Sequence, residues 1–138
     1  MARAAGNPGE QLERLKIVVS SFGIALEYAE ELGGADGLSK QGTIVIRDGL
    51  ANAEEFSVLV HELAHELLHQ GERRTATTKR QRELEAEAVA WIVSESLGLQ
   101  AVDASSDYIQ LYRGDREALE ASLADIQKTA ARILEALG

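Results

Sequence analysis

The chain has 138 residues, no cysteine and a formal net charge of -9. That length fits one domain with its own core. The lack of thiols excludes disulfides and thiolate metal sites and is compatible with a cytoplasmic location, and the acidic balance argues against direct nucleic-acid binding. No apolar run approaches the ~20 residues of a membrane span, and Met1-Ala2-Arg3 is not followed by the apolar core of a signal peptide.

Residues 1–8 read as a disordered tail and residues 9–138 as a single domain. Asn7-Pro8-Gly9-Glu10 at the junction is a helix start, with Asn7 as cap, Pro8 in the first turn and Glu10 three residues beyond the cap. Leu12, Leu15, Val19 and Phe22 then form an apolar stripe up to Gly23. Beyond it the period changes to two: Ile24, Leu26 and Tyr28 alternate with Ala25, Glu27 and Ala29, and Thr43 to Arg47 is a second β-branched run. Gly33-Gly34-Ala35-Asp36-Gly37 between them is predicted to be a flexible connection. Its glycines do not have the spacing of a phosphate loop at a strand-to-helix junction.

From Ala53 to Gln70 there is neither proline nor glycine, and Phe56, Leu59, Val60, Leu63 and Leu67 recur at helical spacing. The opposite face carries His61 and His65. Four residues apart on a helix, they are separated by a rise of roughly 6 Å, so both imidazoles can reach one metal ion. Glu62 falls within roughly 60° of His65 on the helical wheel and is placed to polarise a water on the open side of that metal. The Cα of His69 lies about 12 Å from that of His61, too far for a shared ion, so His69 reads as a hydrogen-bonded residue at the helix end. Gly71 is the expected stop.

The stretch from Glu72 to Arg82, with Arg73, Arg74, Lys79, Arg80 and Arg82, reads as a solvated loop near the cleft, with an anionic substrate or partner as the alternative. The next helix offers three acids to complete the metal site. Glu83 and Glu87 share a face, whereas Glu85 points roughly 160° to 200° away and reads as a surface acid. Two histidines and one carboxylate leave a fourth position for water, the mark of a catalytic rather than a structural zinc. Trp91 falls on the cleft side of this helix, with core packing as its default and a wall of the substrate pocket as the alternative. Leu99 to Gly114 reads as irregular, with a short helix through Ser106-Asp107-Tyr108-Ile109. Its donors Tyr108, Tyr112 and Arg113 are candidates to stabilise an oxyanion, Tyr108 first among them. In the last helix, from Asp115 to Leu137, the residues Leu119, Leu123, Ile126, Ala130, Ile133 and Leu137 make a narrow seam. That seam is either core or a homodimer contact.

The run Val60-His61-Glu62-Leu63-Ala64-His65-Glu66-Leu67-Leu68-His69, followed by Glu83-x-x-Ala86-Glu87-x-x-Ala90, resembles the zincin-type metallopeptidase domains of the ImmA/IrrE and ArdC (antirestriction) families. The resemblance implies His61 and His65 as zinc ligands, Glu62 as catalytic base, Glu83 as third ligand, and Glu87 as a carboxylate that orients a ligand histidine. It also implies that Thr43 to Arg47 lies beside the cleft and docks an extended substrate by β-addition. The expectation is therefore a small α+β zincin-like domain: an N-terminal helix, a short sheet, the HExxH helix, the third-ligand helix and a C-terminal helix. With one Zn2+ per chain it would hydrolyse a peptide bond in a peptide or protein substrate, acting on neither nucleic acid nor membrane. The rival expectation is a metal-dependent binding domain that regulates a partner without turnover.

Overall fold

A computed structural model describes residues 7–99 and 110–138. The expectations for the first six residues, for Tyr108 and for a short helix across 106–109 lie outside the described residues. The first helix, α1 (Pro8–Ser21), starts as its sequence predicts: the Glu10 N–H donates to Asn7 Oδ1 at 3.1 Å, with Pro8 in the first turn. Leu12, Leu15 and Val19 of its stripe are buried.

Three strands follow, β1 (Ala25–Ala29), β2 (Gly37–Ser39) and β3 (Thr43–Arg47), in the spatial order β1-β3-β2. β1 runs parallel to β3, with Ala25 opposite Thr43 and Ala29 opposite Arg47. β2 runs antiparallel to β3, with Gly37 opposite Ile46. Because β3 is central and covered on both faces, Ile44, Val45 and Ile46 are all buried, the continuous apolar pattern of an interior strand. Two expectations change here. The predicted flexible connection ends one residue early, since Gly37 opens a strand, and Thr43 to Arg47 is a middle strand whose edges are already paired, so it cannot accept a substrate by β-addition. The strand with an edge to offer beside the second helix is β2.

That helix, α2 (Asn52–Leu68), buries Phe56, Leu59, Val60 and Leu63 against α1 and β3. Apolar burial at about 1.5–3 kcal/mol per large side chain offsets the cost of drawing the polar side chains Glu62 and His65 out of water on the same helix. Glu66, one turn further on, clamps the hairpin to α2: the Gly42 N–H donates to its Oε1 at 2.7 Å and the Ser39 hydroxyl to its Oε2. The tight turn this requires puts Gln41 at φ 44° and Gly42 at φ 101°.

α2 ends at Leu68, and Gly71, at φ 57°, opens a short helix, α3 (Gly71–Ala76), instead of a loop. A capping box then starts α4 (Lys79–Ser96): the Gln81 N–H donates to Thr78 Oγ1 at 3.1 Å and the Thr78 N–H to Gln81 Oε1 at 2.8 Å. Most of the supposed basic loop is thus helical. The last helix, α5 (Arg116–Leu137), is capped by Asp115 and directs Ile126, Ala130, Ile133 and Leu137 of its seam into the domain's own core. Ser122 and Thr129 are buried beside them, and Leu123 is left 38% exposed. The architecture is α+β: five helices and one three-stranded sheet among the described residues. None of these helices is long and apolar enough to cross a membrane.

Candidate metal centre

α2 and α4 pack side by side and bring their polar residues to one point. Glu83 bridges both histidines, with Oε1 3.2 Å from His61 Nε2 and Oε2 2.7 Å from His65 Nε2. One ligand atom from each of His61, His65 and Glu83 lies within 4.8 Å of the others. Glu83 is held at that place because the capping box fixes where α4 begins. Arg82 next to it donates from Nη1 to the carbonyls of Arg74, at 2.9 Å, and of Thr77. Two imidazoles and a carboxylate converging on one point fit a borderline cation such as zinc. The half-exposed Glu83 side chain leaves the group approachable from solvent.

The charges respond to one another as such a cluster requires. Hydrogen bonds from His61 and then His65 hold the Glu83 carboxyl well below the usual carboxylate range. Burial pulls His61 down, but its bond to Glu83 and the nearby charges of Glu62, Glu83 and Glu87 outweigh that and leave it raised. Glu62, only 8% exposed, is pushed up by burial, against the pull of His61 and His65. A carboxyl raised in this way is better matched to proton transfer near neutral pH.

Behind the cluster runs a chain of buried polar groups. His65 Nδ1 lies 2.8 Å from His69 Nδ1, and His69 Nε2 lies 2.8 Å from Glu85 Oε1. Arg73 Nη2 donates to Glu85 Oε2 at 2.6 Å, the Ser122 hydroxyl donates to the same oxygen at 2.5 Å, and the Tyr112 hydroxyl reaches it at a longer 3.4 Å. His69 is wholly buried and Glu85 is 1% exposed. Burial would raise Glu85, but the bonds from His69 and Ser122 and the charge of Arg73 hold it below the ordinary range. Burial lowers His69 despite the Glu85 bond.

Several expectations are corrected by this arrangement. Glu85 is not a surface acid: α4 packs between α2 and α5 and leaves the Glu83–Glu87–Trp91 face exposed, while Glu85, on the other side, is interior. Arg73 is not a free loop cation: it is only partly exposed, and besides Glu85 its guanidinium reaches Asp125 at 3.3 Å. Tyr112 spends its hydroxyl on Glu85 and Ser122 and is not free to face an oxyanion, and Arg113 is exposed. Trp91 is 38% exposed rather than core. Glu87 is exposed one turn beyond Glu83; no hydrogen bond among the described residues joins it to His61 or His65, and it acts on His61 through charge alone. The carboxylate linked to a site histidine from behind is Glu85. One signal pointed that way: His69 stands to His65 as His65 stands to His61, four residues on and on the same face.

Compared with known proteins, residues 12–122 match the family model described as the IrrE N-terminal-like domain, a peptidase family. The matched span takes in the sheet, the His61–His65–Glu83 cluster and the chain behind it as far as Ser122. No curated protein and no solved structure matches the chain. Matched over most of its length, and with a histidine–histidine–glutamate cluster where α2 meets α4, the chain belongs to the family of IrrE N-terminal-like, metallopeptidase-like domains.

Proposed function

We propose that this domain is a zinc-dependent peptidase that hydrolyses a peptide bond in a regulatory protein. The observation that carries the reading is the convergence of His61, His65 and Glu83 within 4.8 Å, with buried Glu62 following the first histidine on the same helix. His61, His65 and Glu83 would hold one Zn2+, which when bound supplies a Lewis acid that acidifies water and polarises a carbonyl. Glu62 is the base: it takes the proton of the attacking water and passes it to the leaving amine. Its raised affinity for protons suits both halves of that task.

A peptide is the substrate class that suits the surroundings. β2 is an edge strand packed against α2, and Gly37 at its start touches Glu62, so a chain added to that edge would pass beside the base. The likeness to ArdC-type domains belongs to this reading too, on the HExxH and Glu83-x-x-Ala86-Glu87-x-x-Ala90 motifs, as does a cytoplasmic location.

The test is purified protein loaded with one equivalent of zinc and incubated with a broad peptide library, with products read by mass spectrometry. Cleavage that disappears with a chelator and returns with added zinc is the expected result. Tight zinc binding with no product from any peptide or candidate protein would favour the metal-dependent binder over the peptidase.

A further inference from the structure

We propose that His69 and Glu85 are positioning residues that fix the tautomer and ring orientation of His65, so that its Nε2 lone pair is presented to the metal. This rests on the metal-centre reading above and extends it to residues outside the ligand set.

The directionality follows from donor and acceptor counting. Glu85 receives the Arg73 guanidinium and the Ser122 and Tyr112 hydroxyls on Oε2, so its Oε1, 2.8 Å from His69 Nε2, is an acceptor. His69 Nε2 must therefore carry a hydrogen. A neutral His69 then has a lone pair on Nδ1, and the 2.8 Å contact to His65 Nδ1 is made only if His65 supplies the proton. With Nδ1 committed to His69, Nε2, the atom that faces Glu83, is the nitrogen left to offer a lone pair to a bound metal in place of its hydrogen bond to that carboxylate. The order is set at the far end, by one guanidinium and two hydroxyls, and is relayed through two side chains that water does not reach. A metal-ligating histidine ordinarily gives its second N–H to a carboxylate, a carbonyl or water. Here a second imidazole is interposed, and the carboxylate stands one residue further back.

The arrangement also ties the centre to the rest of the fold. Arg73 lies on α3, Glu85 on α4 and Ser122 on α5, while His65 lies on α2 and His69 caps its C-terminal end. The orientation of one ligand is thereby over-determined by four helices.

Two measurements test the proposal. In the wild-type protein with zinc, histidine ¹⁵N–¹H correlation spectra should show His65 protonated on Nδ1 and bound through Nε2, and His69 protonated on Nε2. His65 bound through Nδ1, or His69 protonated on Nδ1, would overturn it. Zinc affinity is then measured by competition with a chromophoric chelator. His69→Leu, which removes the acceptor, and Glu85→Gln should each weaken zinc binding about 10- to 100-fold, the usual effect of losing such a partner. His69→Asn, whose amide oxygen can stand near the place of Nδ1, should recover much of the loss relative to His69→Leu. Should His69→Leu not fold, the wild-type spectra and the Glu85→Gln affinity decide the matter. Wild-type affinity in Glu85→Gln, or equal affinities in His69→Leu and His69→Asn, would mean that the chain only braces the fold. A wild type that binds no zinc would instead remove the metal-centre reading itself, and this proposal with it.

Discussion

Gly37 of β2 lies directly against Glu62 of α2: a Cβ built on Gly37 would stand 3.1 Å from Glu62 Cγ and 2.6 Å from Val58 Cγ1. Glycine here is a matter of space, since it lets the edge strand close over the base. Gly37→Ala should cost about 1–3 kcal/mol in denaturant unfolding, the usual range for an overpacked site, and should lower cleavage more than zinc affinity, because the ligands lie elsewhere. Adding Val58→Ala makes room and should return part of both losses. Failure of that second substitution to help would show that the crowding is not what matters.

The ligand assignment orders a second set of variants. His61→Ala, His65→Ala and Glu83→Gln should each abolish stoichiometric zinc by elemental analysis after desalting, since each removes or weakens one of the three donors that converge among the described residues. Glu87→Gln should change zinc affinity less than Glu83→Gln does, because Glu87 is exposed and reaches His61 by charge alone. Zinc at a hundredfold excess over its Kd should raise wild-type stability by about 2.7 kcal/mol and leave His61→Ala unmoved. The reverse ordering of the two glutamates would transfer the third ligand to Glu87.

How much of this was legible in the sequence depends on the range of the interaction. His61 and His65 could be paired because helical spacing alone puts them on one face, and α1, β3 and α5 could be placed from caps and periodicity for the same local reason. β2 carries no such signal: three residues, Gly37-Leu38-Ser39, have no period to read, and they are a strand because β3 and Glu66 hold them there. The misreading of Glu85 has a related cause. A helical wheel states the angle between two residues but not what packs on each side, and Glu85 is buried by Arg73, Tyr112 and Ser122, which lie 12, 27 and 37 residues away in sequence.

Away from the centre, Tyr28 offers a check on the α1–β1–α2 packing. Its hydroxyl donates to Glu55 Oε2 at 2.6 Å, and Lys16 lies 5.6 Å from its ring centroid. Burial and then the Glu55 bond raise the phenol above its ordinary 10.0, against the pull of Lys16. The folded state thus favours the protonated phenol, so this contribution to stability is complete below pH 10 and is lost as the pH rises through the raised value. An ultraviolet titration of wild type minus Tyr28→Phe should give a midpoint above 10, and Glu55→Gln should lower it. A midpoint at or below 10 would contradict the contact.

Glu62 separates an enzyme from a binder, because it sits beside the His61–His65–Glu83 cluster without belonging to it. Burial leaves it with a raised affinity for protons, while the contacts that join His61, His65 and Glu83 are made without it. Glu62→Gln keeps the shape and the packing against Gly37 but removes the basic oxygen. The variant should therefore fold and bind zinc like the wild type. Proton transfer by a positioned group contributes about 10² to 10⁴ in rate, so cleavage of any peptide the wild type cuts should fall at least about a hundredfold. The matched comparison is wild type, Glu62→Gln and His61→Ala, assayed for zinc content, unfolding midpoint and product formation. Undiminished cleavage by zinc-loaded Glu62→Gln would rule out this base. A cellular effect that survives Glu62→Gln and vanishes in His61→Ala would assign the domain's work to metal-dependent binding instead of hydrolysis.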